Sequence, residues 1–200
     1  MRPAQTVPTT GVRLRLVALP TEHGGWGFLL EPIVLGLALA PSLAGLLLGL
    51  TAIGIFLTRH PLTLMLGDWR RGKRYPRTAW AERFVLLYGL TALAAGVAAL
   101  AVARPFWQAL ALAVPLAHAQ LIFDLRKQSR GLLPEVAGAW ALSASAPAIT
   151  LAAGAPLAPA LAIWAVLAAR ALVSILYVRA RLRRLRGVPA HAWPVYTAHL

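Results

Sequence analysis

Apolar residues in this chain come in long blocks separated by short polar stretches, and do not alternate with polar residues as in a half-buried strand. From Gly27 to Thr58 the run has no basic side chain and one acid, Glu31. A helix crosses a bilayer in roughly 20 residues, so this run is too long for one crossing and short for two. Ala40-Pro41-Ser42 lies near its middle, where a proline turns the chain, so the pattern predicts two short helices in a hairpin. Gly45 and Gly49 in the second helix have the spacing that lets a neighbouring backbone approach closely. Four more blocks follow: Phe84 to Ala103, ended by Arg104-Pro105; Phe106 to Phe123; Val136 to Ala153, turned by Gly154-Ala155-Pro156; and Leu157 to Tyr177. Backbone groups in lipid must pair within their own segment, so these blocks predict an all-α, polytopic membrane protein of about six transmembrane helices. The ten-residue alternating strands of a β-barrel are absent from the sequence.

The basic residues orient this bundle. Arg59, Arg70, Arg71, Lys73, Arg74, Arg77 and Arg83 fall in the stretch between the second and third blocks; Arg126, Lys127 and Arg130 follow the fourth; Arg179, Arg181, Arg183, Arg184 and Arg186 follow the sixth. With the amino terminus inside, all of these and Arg2, Arg13 and Arg15 lie on the cytoplasmic side, while Arg104 lies outside and Arg170 within a span. The expected organisation is a basic cytoplasmic segment over residues 1–26 and a single transmembrane domain over 27–178 with cytoplasmic loops 59–83 and 124–135. A basic cytoplasmic tail follows over 179–200, and either the protein is short or a further span is missing beyond it. The segment MRPAQTVPTTGVRLRLVALP is too polar and proline-broken for a cleaved signal peptide, so the internal blocks serve as insertion signals. The location that follows is the cell's inner (plasma) membrane, multi-pass, with the lipid bilayer as the first partner.

Composition agrees with a membrane protein and removes other classes. Apolar residues make up 59% of the chain and charged residues 13%, well off the balance of soluble domains. The net charge of +14 would ordinarily suggest nucleic acid, but the bases lie between apolar blocks and not on one face of a folded domain, which argues against that partner. With no cysteine, disulfides, thiolate metal sites and cysteine nucleophiles are excluded.

Under this topology every acid, Glu22, Glu31, Asp68, Glu82, Asp124 and Glu135, lies at or near the cytoplasmic end of a helix, as do His23, His60, His118 and Gln120. Any site therefore opens to the cytoplasm. Ordinary structural roles account for several of these residues. Glu135 after Pro134 suits the first turn of a helix. Arg126, Lys127, Arg130 and the run from Arg179 to Arg186 suit membrane anchors, and Trp69, Tyr75 and Trp80 suit the interfacial belt. Arg170 resists such a reading, because a charge inside a span usually faces a partner or ligand. The candidate ligand-binding set is Glu22, His23, Glu31, Arg59, His60, Asp68, Asp124, Arg130, Glu135 and Arg170, and its forked arginine donors suit phosphate or carboxylate oxygens. The sequence has no phosphate loop, zinc-binding HExxH helix or nucleophile elbow. For Mg²⁺ only Asp68, Asp124 and Glu135 offer carboxylates, and these are scattered singly.

Four blocks carry a resemblance: TEHGGWGFLLEP at Thr21 to Pro32, TRHPL at Thr58 to Leu62, FDLRKQSRGLLPEVAGA at Phe123 to Ala139 and RALVSILYVRARLR at Arg170 to Arg183. Together they resemble the YwiC-like family of prokaryotic integral membrane proteins, which implies membrane residence and no particular activity. A more distant similarity is to the UbiA prenyltransferase superfamily, whose two aspartate-rich cytoplasmic motifs hold Mg²⁺ and a prenyl diphosphate. Here RHPLTLMLGD, with Asp68 as its acid, stands in the place of the first, and FDLRKQSRGLLPE in the place of the second. That departure favours direct binding of an anion by arginine over metal-dependent prenyl transfer. The expected function is a cytoplasm-facing pocket for an anionic amphipath, an anionic lipid or isoprenoid diphosphate, with lipid modification as its enzymatic form. The alternatives are a transporter or permease component, with Glu31 and Arg170 along its pathway, and a non-catalytic membrane assembly factor.

Overall fold

The computed structural model describes residues 13–20, 23–126, 128 and 131–185. All regular structure among them is helical: α1 (Leu14–Ala18), α2 (His23–Leu39), α3 (Leu43–Trp69), α4 (Pro76–Val102), α5 (Trp107–Leu125), α6 (Leu132–Ser143), α7 (Ser145–Ala152) and α8 (Leu157–Leu185). Helices α3, α4, α5 and α8 are each long and apolar enough to cross a membrane. Helix α2, with 17 residues, is shorter, and α6 and α7 lie in line as one interrupted helix.

The α2–α3 hairpin turns at Ala40-Pro41-Ser42, where the Ser42 hydroxyl caps α3 by accepting from Gly45 N at 3.0 Å. The stretch expected as a loop from Arg59 to Arg83 is mostly helix. Helix α3 continues through Arg59-His60-Pro61 to Trp69, and α4 starts at Pro76. Charge alone does not end a helix, and here the ending belongs to Gly72. At φ +63° it adopts the left-handed conformation, and its N–H donates to the Trp69 carbonyl at 2.9 Å. Pro76 then sits in the first turn of α4, where a missing N–H costs nothing. In the same way α8 carries its helix through the basic run to Leu185.

The expected fifth span is broken at Ala144. Pro147 has no N–H for the Ser143 carbonyl, and the chain tightens so that Ala144 N donates to Ala141 O at 3.2 Å. Ser145 Oγ donates to Leu142 O at 2.7 Å and Ser143 Oγ to Ala139 O at 2.8 Å. Thus the break leaves its serine hydroxyls satisfied inside the bundle. Helix α7 is the bundle's centre: Ala146 to Ala152 are all buried, and it packs on α2, α3, α5 and α8.

The central contact is between Ile149 of α7, wholly buried, and glycines of the hairpin. A Cβ on Gly45 would stand 2.8 Å from Ile149 Cγ2, and one on Gly36 3.1 Å from Ile149 Cβ. Helices α3 and α4 meet as closely, since a Cβ on Gly54 would lie 2.8 Å from the Ala92 Cβ. Lipid offers no hydrophobic gradient between helices, so such small-residue contacts supply the packing. Leu86, Leu87, Leu90, Leu93, Val97 and Leu100 cover the outer face of α4, an apolar exposure suited to acyl chains.

Helix ends sort chemically. At one end the α4–α5 and α7–α8 connections touch, with Arg104 N donating to Ala152 O at 2.9 Å. The opposite end gathers the α3–α4 turn, the end of α5, the start of α6 and the end of α8, and so most of the arginines. There α1 lies on α3 and α4 with Val17 buried beside Met65 and Ala81.

Gly45→Ala is expected to lose about 1–3 kcal/mol of stability, since the added methyl forces Ile149 aside. Gly89→Ala on α4, which meets nothing, is the control. Thermal unfolding in detergent should show a lower midpoint for the first and an unchanged or higher one for the second.

Candidate functional site

Every acid among the described residues is engaged by an arginine. Arg59 grips Asp124 with two bonds, Nε to Oδ2 at 2.6 Å and Nη2 to Oδ1 at 3.0 Å, joining α3 to α5. With its amide oxygen turned to the guanidinium, Gln120 one turn earlier accepts from Nη1 at 3.1 Å and Nη2 at 3.2 Å. Gln120 in turn lies directly over Gly138 of α6, where a Cβ would run into its amide. A glycine on α6 therefore makes room for the polar side chain that helps hold Arg59. His60, next in the chain, points elsewhere and meets the Leu16 carbonyl of α1 through Nε2 at 3.0 Å.

Asp68, almost wholly buried, is the knot of the α3–α4 turn. Its carboxylate accepts from Arg77 Nη2 at 2.8 Å, from Arg77 Nε at 3.2 Å and from the buried Thr78 hydroxyl at 2.8 Å. Its carbonyl accepts from Arg71 N and Lys73 N at 3.1 and 3.2 Å. Thr78 completes the turn by accepting from Tyr75 N at 3.0 Å, while the Arg77 guanidinium lies 5.0 Å from the centre of the Tyr75 ring. Here a residue expected as a ligand-binding candidate has a full structural complement of partners.

The remaining pairs tie α8 to the bundle. Arg179 Nη1 donates to Glu135 Oε2 at 2.9 Å, and Arg170 pairs with Glu31 across α6. Ala171 and Ile175 of α8 bury themselves against Ala139 of α6 between these two pairs. Trp140 Nε1 donates to Ala168 O at 2.9 Å and Trp164 Nε1 to Trp140 O at 3.2 Å, so two indoles staple α6 to α8. Glu82 is held more loosely, 3.5 Å from Arg74 and accepting from Trp69 Nε1 at 3.1 Å.

The candidates Glu31, Arg59, Asp68, Asp124, Glu135 and Arg170 thus form separate interhelical pairs along the arginine-rich half. Glu22, Arg130 and the His23 side chain lie outside the described residues. Sequence reasoning put Gln120 near the end of its span but did not pair it with Gly138, and it missed the Trp140–Trp164 staple. A glutamine facing a glycine across two spans was the available signal for the first.

A prenyltransferase-like Mg²⁺ site needs several carboxylates turned toward one point. Asp68, Asp124 and Glu135 instead face three different arginines, and no three His, Asp or Glu side chains gather among the described residues. This donor set does not fit the metal.

Comparison with protein families agrees with the helical architecture: the family described as YwiC-like protein matches residues 19–150. The chain belongs to the YwiC-like family. The match runs from the α1 end through most of α7, and holds the Arg59–Asp124 and Asp68–Arg77 pairs entire, whereas Arg170 and Arg179 lie beyond it. Together with the apolar helices, membership makes this an integral membrane protein. No curated protein and no solved structure matches the chain.

Asp68→Ala would strand the Thr78 hydroxyl and loosen Arg77, at an expected cost of about 1–3 kcal/mol. Unfolding in detergent should show the loss, and limited proteolysis should cut first in the turn at residues 70–75. Thr78→Val should reproduce a part of both effects.

Proposed function

We propose that the arginine-rich end of the bundle faces the cytoplasm and binds an anionic amphipath, an anionic lipid or prenyl diphosphate. The observation that carries this reading is one of leftover charge. With Asp68, Glu82, Asp124 and Glu135 already engaged, the exposed Arg70, Arg71, Lys73, Arg126, Arg181, Arg183 and Arg184 still crowd that end. Arginine forks suit phosphate oxygens, and the apolar faces of α4 and α5 directly above suit an acyl or prenyl chain. Arg70 Nη1 donates to Leu125 O at 3.3 Å, which brings the α3–α4 turn beside the end of α5 and places Arg70 and Arg126 near one another. In this reading α2, α3, α4, α5, the α6–α7 pair and α8 make six crossings with both termini inside.

Two experiments test it. A reporter active only outside the cytoplasm, fused after Ala155, should be active, and fused after Lys73 should be silent; activity at Lys73 would reverse the orientation. Native mass spectrometry of protein extracted from membranes should show bound anionic lipid or prenyl diphosphate that falls at least about fivefold when Arg70 and Arg126 are both changed to Gln. Unchanged retention would remove the ligand.

A second reading has one observation in its favour. An interrupted helix at the bundle centre, with Glu31 and Arg170 at similar depth, is a feature of membrane transporters. Solute uptake into liposomes that disappears with Arg170→Leu would promote transport over one-sided binding.

A further inference from the structure

We infer that the outer face shared by α2 and α8 is where a second copy of this chain docks, with Glu31 and Arg170 at the centre of the contact. The argument begins with depth. At 1.5 Å per residue Arg170 lies about 20 Å along α8 from Leu157, and Glu31 about 12 Å along α2 from Leu39. A hydrocarbon core about 30 Å thick keeps both within it, and the long Arg170 side chain spans the difference to reach Glu31. Yet the pair is far from buried: the Arg170 side chain is 48% exposed and that of Glu31 37%. Ions within the hydrocarbon core avoid lipid and turn to protein or water, so this face calls for a cover.

What covers it follows from the surroundings. Helices α2 and α8 pack on opposite flanks of α6, and the two charged side chains reach toward each other across it. On α2 the exposed neighbours along the Glu31 face are Gly27, Val34 and Ala38. On α8 they are Ala162, Val166 and Ala169. Such small side chains allow close approach of another helix and offer nothing to hold a water-filled cleft open.

The charges choose a second copy over an unrelated helix. The patch carries one positive and one negative group with their charged ends in contact, so it is complementary to itself. A half-turn about an axis along the membrane normal preserves depth and exchanges left with right. It therefore sets α8 of one copy against α2 of the other, and each Arg170 against the second copy's Glu31. Five guanidinium N–H groups facing one carboxylate leave donors for that second contact. The four ions would then close into one network shielded from lipid on all sides.

The absence of cysteine makes the test clean, because a single introduced thiol has no competitor. One copy carrying Val166→Cys and another carrying Val34→Cys, expressed together and oxidised in native membranes, should give a disulfide-linked species of twice the protomer mass, because the half-turn sets these two positions against each other. Leu93→Cys, on the exposed face of α4, should stay monomeric. Glu31→Gln in the cysteine-free protein should raise the dimer dissociation constant in lipid bilayers about tenfold, as loss of an interhelical polar contact implies. Three results overturn the inference: no cross-link between positions 34 and 166 of the two copies, a cross-linked species whose mass includes a different polypeptide, or rapid reaction of Val166→Cys with a membrane-impermeant thiol reagent. The last would show a water-filled cleft in place of a second copy. The cysteine variants leave both ions in place, so they report on docking even if Glu31→Gln folds poorly.

Discussion

Charge in a low-dielectric surrounding has to be answered by opposite charge, and the arrangement of this bundle depends on how that is done. Each described carboxylate meets an arginine, mostly on another helix. Lipid supplies no hydrophobic force between apolar helices, so close packing and polar contacts between them must do the joining. Away from the arginine-rich end this falls to glycine against Ile149 and against Ala92. In the arginine-rich half it falls to ion pairs, and the Trp140 and Trp164 indoles add hydrogen bonds between α6 and α8.

The ion pairs also divide the arginines into two populations. Arg59, Arg77, Arg170 and Arg179 are structural partners, each directed at a carboxylate by the helix that bears it. Apart from Arg74, which pairs with Glu82, the exposed bases of the α3–α4 turn and of the ends of α5 and α8 are directed at no carboxylate among the described residues. Those residues are available to phosphate oxygens, whether of bulk headgroups or of a specific amphipath. The division explains why residues inside the spans, conspicuous in a sequence, are poorer candidates for ligand contact than the ordinary-looking bases at the rim.

Much of the architecture was legible from residue order alone. The turn at Ala40-Pro41-Ser42, the breaks at Arg104-Pro105 and Gly154-Ala155-Pro156, and the helical class all follow from proline, glycine and block length. The helix ends near the charged segments were less legible, because arginines at the edge of a bilayer stay helical until a residue such as Gly72 permits the turn. The division at Ala144 was written in Ser-Ala-Ser-Ala-Pro, but apolar block length masked it. Pairing was the least legible feature. Arg59 and Asp124 are 65 residues apart, and no local pattern says that they meet, or that Gln120 and Gly138 stand beside them.

If charge pairing organises the arginine-rich half, then Arg59 and Asp124 must be energetically coupled and not merely adjacent. A double-mutant cycle of Arg59→Met, Asp124→Leu and the combination, followed by reversible unfolding in mixed micelles, measures this directly. The account predicts a coupling of about 1–3 kcal/mol, with the double variant more stable than the sum of the single losses implies. Additive losses would contradict it, and would leave packing of small residues as the only force that joins these helices.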